Sequence, residues 1–307
     1  MRVTIAGATG LIGRALTASL TSDGHEVIAL SRTTGTVGRI MTTVWDASSS
    51  ALPRSAFEGV DAFVNLAGAG IGDGRWGDAH RRAIIDSRIT TTRRLVEAMR
   101  EDGPSTLISG SAIGYYGPGD DPKDETAGPG HDFLAGVCVR WEAEATKAPQ
   151  SARVVLVRTG IVLSTDGGAL PKLLVPARLG AGGPLGGGRQ WQSWIHVEDE
   201  VGIIRHALTH PSITGPVNAT SPHPVRQAEM AAVLGRVLHR PAKLPTPTFV
   251  MRVLLGGAAD IALTGQRVLP KAATSSGYRF AYPELEPALR ALLVTQLEPR
   301  RRGQGGP

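Results

Sequence analysis

Val3-Thr4-Ile5-Ala6-Gly7-Ala8-Thr9-Gly10-Leu11-Ile12-Gly13-Arg14 is the stretch that decides the fold of this 307-residue chain. An alternating, β-branched strand enters three glycines at GxxGxxG spacing and leaves into a helical pattern. At Gly7 a tight turn meets no Cβ, at Gly10 the backbone can approach a pyrophosphate, and at Gly13 a helix can pack closely on the strand. The first amides of that helix and the positive end of its dipole then face the phosphates. In its strand–turn–helix setting, the spacing reads as a dinucleotide site formed by Gly7, Ala8, Thr9, Gly10, Leu11, Ile12 and Gly13. The alternative is a glycine-rich turn with no ligand.

The next strand, His25-Glu26-Val27-Ile28-Ala29-Leu30, ends at Ser31-Arg32. An NAD-type site places an acidic residue there for the ribose 2′-hydroxyl. A hydroxyl and a guanidinium instead suit a 2′-phosphate, so Ser31 and Arg32 predict NADP (NADPH); otherwise Arg32 is a solvated surface residue. A third strand, Met41-Thr42-Thr43-Val44-Trp45, leads to Asp46, a candidate acceptor for the adenine amino group. A fourth, Ala62-Phe63-Val64-Asn65-Leu66, opens into Ala67-Gly68-Ala69-Gly70, small enough to pass beside the cofactor's middle, which adds Leu66, Ala67 and Gly68 to the cofactor set.

Strands alternate with helical patterns to about residue 165, the mark of a right-handed parallel α/β sheet. Apolar residues from Ile84 to Met99 recur at helical spacing, Ser105-Thr106-Leu107-Ile108-Ser109 and Arg153 to Arg158 read as strands, and 132–148 is amphipathic. Pro118 to Gly130 reads as a polar loop. The expected organisation is a Rossmann-type doubly wound α/β core over 1–165, a region at 166–294 that completes the core and forms a smaller substrate-side lobe, and a basic disordered tail at 295–307.

The 33 basic and 27 acidic residues give a net charge of +6, part of it in Arg300-Arg301-Arg302. An anionic dinucleotide accounts for that mild excess, and no aromatic interleaving points to nucleic acid. The single cysteine, Cys138, precludes an intramolecular disulfide and fits a reducing cytoplasm. The first strand begins so early that we expect no signal peptide, and no apolar run is long enough to span a membrane. The eight histidines show no metal-ligand spacing, so no metal is expected. The expected partner is a small-molecule substrate, with a homodimer possible.

Further motifs follow in order: Gly74-Arg75-Trp76, Asp86-Ser87-Arg88, Ser111-Ala112-Ile113-Gly114-Tyr115-Tyr116-Gly117 and Val139-Arg140-Trp141-Glu142. Gly167-Gly168-Ala169-Leu170, Gly182 to Gly186, Gln192-Ser193-Trp194-Ile195-His196 and the stretch from Arg267 to Phe280 complete the series. Together they resemble the extended short-chain dehydrogenase/reductases, the NAD-dependent epimerase/dehydratase-like enzymes. More closely they resemble an atypical branch of epimerase-family proteins with its own C-terminal segment. The resemblance extends to about residue 294 and implies a Rossmann fold with NADP.

It also implies a Tyr-x-x-x-Lys pair on one helical face, in which the lysine holds the ribose and helps the phenol pass a proton. Anchored on Glu142, those positions hold Leu134 and Cys138. The candidate replacements are Ser111, close to the usual hydroxyl position; Tyr115 and Tyr116, at the sheet's C-terminal edge; and His131, opening the helix. The alternatives are a packed ring for either tyrosine, a plain cap for His131, and Ala112 in place of Ser111 if Tyr116-Gly117 sets the alignment. Substrate-side candidates are Arg75, Trp76, Gln192, Trp194 and His196, with Trp191 as a second possible wall; Trp194 and His196 are as readily core. Three functions stay open: an NADP-dependent oxidoreductase of a small carbonyl or imine with a nonstandard proton donor, an epimerase that keeps NADP bound, and a non-catalytic NADPH-sensing protein.

Overall fold

A computed structural model describes residues 1–72, 76–242, 244–246, 248–249, 259 and 263–294. The expected substrate residue Arg75 and the expected tail at 295–307 lie outside the described residues. Seven strands form the central sheet: β1 Arg2–Ala6, β2 Glu26–Ser31, β3 Thr43–Val44, β4 Ala62–Asn65, β5 Thr106–Ala112, β6 Arg153–Thr159 and β7 Gly215–Ala219. Their spatial order is 3-2-1-4-5-6-7 and every pairing is parallel, with Val3 opposite both Val27 and Ala62. The order reverses between β1 and β4, and a crevice opens there beyond the strands' carboxyl ends.

Helices cover both faces, so strands such as Arg153–Thr159 read as near-continuous apolar runs. On one face α1 Leu11–Ser22 and α5 Val197–Thr209 bury Leu16, Leu20, Ile203 and Ile204 against Val3, Ile5 and Val155. On the other, α2 Asp78–Arg100 sets Leu95, Val96 and Met99 against Phe63 and Leu107, and α3 Phe133–Ala145 adds Ala145. A third cluster joins Leu163, Leu170 and Leu174 of α4 Leu170–Arg178, Trp194, Met230, Leu234 and Leu289 in the C-terminal part. Gly215–Ala219, the outer strand beside β6, belongs to the central sheet although it follows residue 165 in sequence.

The glycine turn behaves as its spacing demands. Gly7 has φ +84°, and a Cβ there would lie 2.7 Å from the Leu66 carbonyl. One on Gly13 would lie 2.7 Å from Ala8 Cα, so α1 could not close on β1. The polar stretch after Pro118 is not wholly a loop: Gly119–Lys123 pairs in parallel with Gln266–Val268. Its lack of apolar residues follows from exposure, because the pairing is held by backbone bonds at the surface.

Candidate functional site

Two connected hollows, of about 400 and 730 Å³, run across the carboxyl edge of the sheet and share Gly7, Gly10 and Leu66. The smaller is lined by Thr9, Ser31, Arg32, Asp46, Ala67 and Gly68. The larger takes in Leu11, Ile12 and Gly13. Of the expected cofactor residues, Ala8 alone lines neither hollow; it is fully buried beneath Gly13.

The donor set suits a dinucleotide phosphate. Gly10 caps α1 without a side chain, so the helix's first amides have no side-chain acceptor at that position. Asp46 accepts from both the amide and the hydroxyl of Ser48, at 2.9 and 2.7 Å. Those bonds first, and the charge of Arg32 last, hold its carboxyl below the ordinary range. No acidic side chain stands at the end of β2, and Arg32 is exposed on the rim.

Arg88 on α2 enters from the far wall. Its Nη1 donates to the carbonyls of Ala69 and Ile84, both at 3.0 Å, and its guanidinium lies 5.0 Å from the Trp141 ring. A Cβ on Gly68 would come within 2.8 Å of its Cζ, so the small residue makes room for the cation. Burial draws the Arg88 pKa down.

Leu134 and Cys138, where the resemblance expects a tyrosine and a lysine, both line the larger hollow. Burial and then the charge of Glu142 push the Cys138 thiol up to about 11, so it stays protonated at neutral pH. Ser111 also lines the hollow, but its hydroxyl donates away from it, to Glu142 Oε1 at 2.6 Å. Arg158 grips the same carboxylate with two bonds of 2.8 Å and donates to the Tyr116 hydroxyl at 2.9 Å, which donates to Asn218 at 2.7 Å.

This chain corrects the expected place of the two tyrosines. Tyr116 is 4% exposed, its oxygen is occupied on both sides, and burial pushes its pKa up to about 12. The Tyr115 ring covers the Arg158 guanidinium at 3.5 Å. Neither lines the hollow, because the 3-10 turn Ile113–Tyr116 directs them to the buried ion pair. His131 is exposed and off the lining, and the cap of α3 is Asp132, whose carboxylate accepts from the Ala135 amide at 2.8 Å.

Two of the substrate-side candidates are core residues. Trp194 is fully buried and its indole donates to the His223 carbonyl at 3.1 Å. His196 caps α5, with Nδ1 accepting from the Glu198 amide at 3.1 Å, and stacks on Tyr282 at 3.9 Å. Burial lowers its pKa to about 4. Both sit on Trp194–His196, a strand paired with Ile161–Leu163 inside the molecule. Gln192 is off the lining and bonds to the Trp191 carbonyl at 3.2 Å. Trp76 and Trp191 do line the larger hollow, Trp191 with Arg226 stacked 3.9 Å from its ring.

From sequence, Arg88 reads as structural or cofactor-side and Leu134 only as occupying the expected tyrosine's position, while Arg81 and Phe133 carry no reading. The signal for the arginines was spacing: Arg81 and Arg88 are seven apart on α2 and so share one stripe.

The NAD dependent epimerase/dehydratase family model matches residues 3–219, and a domain of unknown function (DUF1731) matches 246–292. The chain is 42% identical to the epimerase family protein SDR39U1 homolog, chloroplastic, of Arabidopsis thaliana, over 95% of this chain and 87% of that protein. It is similar in structure to human epimerase family protein SDR39U1 (isoform2), solved with NADPH: TM-score 0.88, 37% identity, 95% of this chain and 99% of that one covered. A nucleoside-diphosphate sugar epimerase from Corynebacterium glutamicum is also similar, with TM-score 0.77 and 36% identity over 95% of this chain and 58% of that one. No described helix is long and apolar enough to cross a membrane.

Proposed function

The chain belongs to the NAD dependent epimerase/dehydratase family, and from that premise we propose that it is an NADP(H)-dependent oxidoreductase of a small carbonyl or imine compound. The observation that carries the reading is the rim of the smaller hollow. There Ser31 ends β2 and Arg32 follows it, a hydroxyl and a guanidinium where an NAD-type site has an acidic residue. The human relative solved with NADPH supports the same cofactor.

In this reading Arg32 and Ser31 hold the 2′-phosphate, Asp46 faces the adenine, and the α1 amides with the Gly7–Gly13 turn hold the pyrophosphate. Arg88 supplies the fixed positive charge on the ribose side, the part a lysine has in the resembled enzymes. When bound, the reduced nicotinamide supplies a hydride. The protein's contribution is to exclude bulk water with Ile71, Leu134 and Val137 and to present the substrate carbon. The electron pair displaced from the C=O or C=N bond takes its proton from water in the cleft, because Ser111 has committed its own to Glu142. The single buried cysteine supports a reducing compartment such as the cytoplasm.

The test is NADPH consumption by purified protein against a panel of carbonyl and imine compounds. The reading expects oxidation only when an accepted compound is present. Nucleotide that copurifies, with epimerised product and no net change in cofactor absorbance, would replace it with an epimerase.

A further inference from the structure

The larger hollow has the chemistry of an apolar acid's binding site. Trp76 and Phe133 meet edge to face, with ring centroids 6.1 Å apart, and form one wall. Arg81 leans on that wall, its guanidinium 5.2 Å from the Phe133 ring and 5.9 Å from the Trp76 ring. Among the described residues, no carboxylate forms an ion pair with it. A guanidinium held over aromatic rings keeps its planar fork of donors for an incoming anion.

On its α2–α3 side the same hollow is poor in groups for a hydroxyl-rich ligand, its further polar side chains, Thr264 and Gln266, lying on the wall at residues 264–266. Ser111 gives its proton to Glu142, Thr159 donates to Glu200 at 2.7 Å, and one oxygen of Asp132 is taken by the α3 cap. A sugar seated along the α2–α3 side would leave hydroxyls facing Ile71, Leu134 and Val137, each a polar group desolvated without a partner. Arg81 and Arg88 lie two turns apart on α2, roughly 10 Å along the axis, so the outer cation stands about that far from the hydride-receiving end.

We infer that the substrate is a flat, largely apolar carboxylic acid, its acid group on Arg81 and its body along the Trp76–Phe133 wall, with the reducible carbon toward Arg88 and Ser111. This rests on the oxidoreductase reading above and narrows its substrate class.

Calorimetric titration of the full chain tests it, with naphthoic acid, naphthalenemethanol and UDP-glucose as probes, each with saturating NADPH and without it. The acid should bind about tenfold more tightly than the neutral alcohol, the expected worth of a charge-assisted pair, and more tightly than UDP-glucose. Arg81→Gln should erase the acid's advantage and leave alcohol and NADPH affinity unchanged, and Arg81→Lys should restore part of it. Equal binding of acid and alcohol, an advantage that survives Arg81→Gln, or tighter binding of UDP-glucose would overturn the inference. NADPH that fails to bind removes the cofactor reading instead, and the titration without it still decides the acid preference.

Discussion

Arg32 and Tyr116 show how differently two exposed-looking sequence positions are used. Arg32 stands free on the rim of the adenosine side, so Arg32→Asp should cost NADPH at least about tenfold in affinity, the value of one or two charge-assisted bonds. NADH affinity, measured in parallel, should hardly move. Tyr116 sits at the sheet edge in sequence but is folded inward between Arg158 and Asn218. Tyr116→Phe should therefore lower unfolding free energy by about 1–3 kcal/mol through two buried groups left unpaired, with NADPH binding and turnover intact. Lost turnover in a stably folded Tyr116→Phe protein would return the phenol to the chemistry. The glycine turn and the Ser31-Arg32 strand end were legible because backbone geometry and charge are local properties. The fate of Tyr116 was not, since its partners lie 42 and 102 residues away.

At the scale of elements, helices α3 and α5 are set by their first residues. Asp132→Ala removes the α3 cap and should cost about 1 kcal/mol, readable as a lower denaturation midpoint with NADPH affinity little changed. At the start of helix α5 two buried groups, Glu200 and the capping His196, are shifted in opposite directions. Burial raises the Glu200 carboxyl from 4.5 to about 8, against the pull of Thr159. Its contribution is complete below pH 4.5 and is lost as pH rises toward 8. Burial lowers His196 from 6.5 to about 4, so its contribution is complete above pH 6.5 and is lost as pH falls toward 4. Thermal melts should show Glu200→Gln losing less stability than the wild type as pH rises from 4.5 to about 8. A parallel decline in both would remove Glu200 as the cause. Periodicity gave the helices readily: the apolar pattern ending at Met99 is α2, and the amphipathic stretch after His131 is α3. It could not show that α2 lends Arg81 and Arg88 to a cleft built mostly by other elements. Nor could alternation tell that Trp194 and His196 face the core, because that depends on pairing with Ile161–Leu163.

Across the whole molecule, the strand order 3-2-1-4-5-6-7 fixes where chemistry can occur. The reversal between β1 and β4 opens the crevice, and the glycine turn, Arg32, Arg88 and the aromatic wall converge on it from separate parts of the chain. The first six sheet strands could be read in order from alternation and turn residues, because right-handed crossovers leave few other arrangements. The last strand, Gly215–Ala219, and the surface pairing of Gly119–Lys123 with Gln266–Val268 were not readable as strands, since both depend on partners remote in sequence. The substrate end is the least legible part for the same reason: its walls come from α2, α3, the segment at Trp191 and residues 264–266. The claim that joins these levels is that this crevice is an NADP(H) site, and equilibrium binding of NADPH and NADH, side by side on the purified full chain, tests it most directly. NADPH should bind more tightly by about tenfold or more, in keeping with a 2′-phosphate held by Arg32. Equal affinities, tighter NADH, or no binding of either would contradict the account.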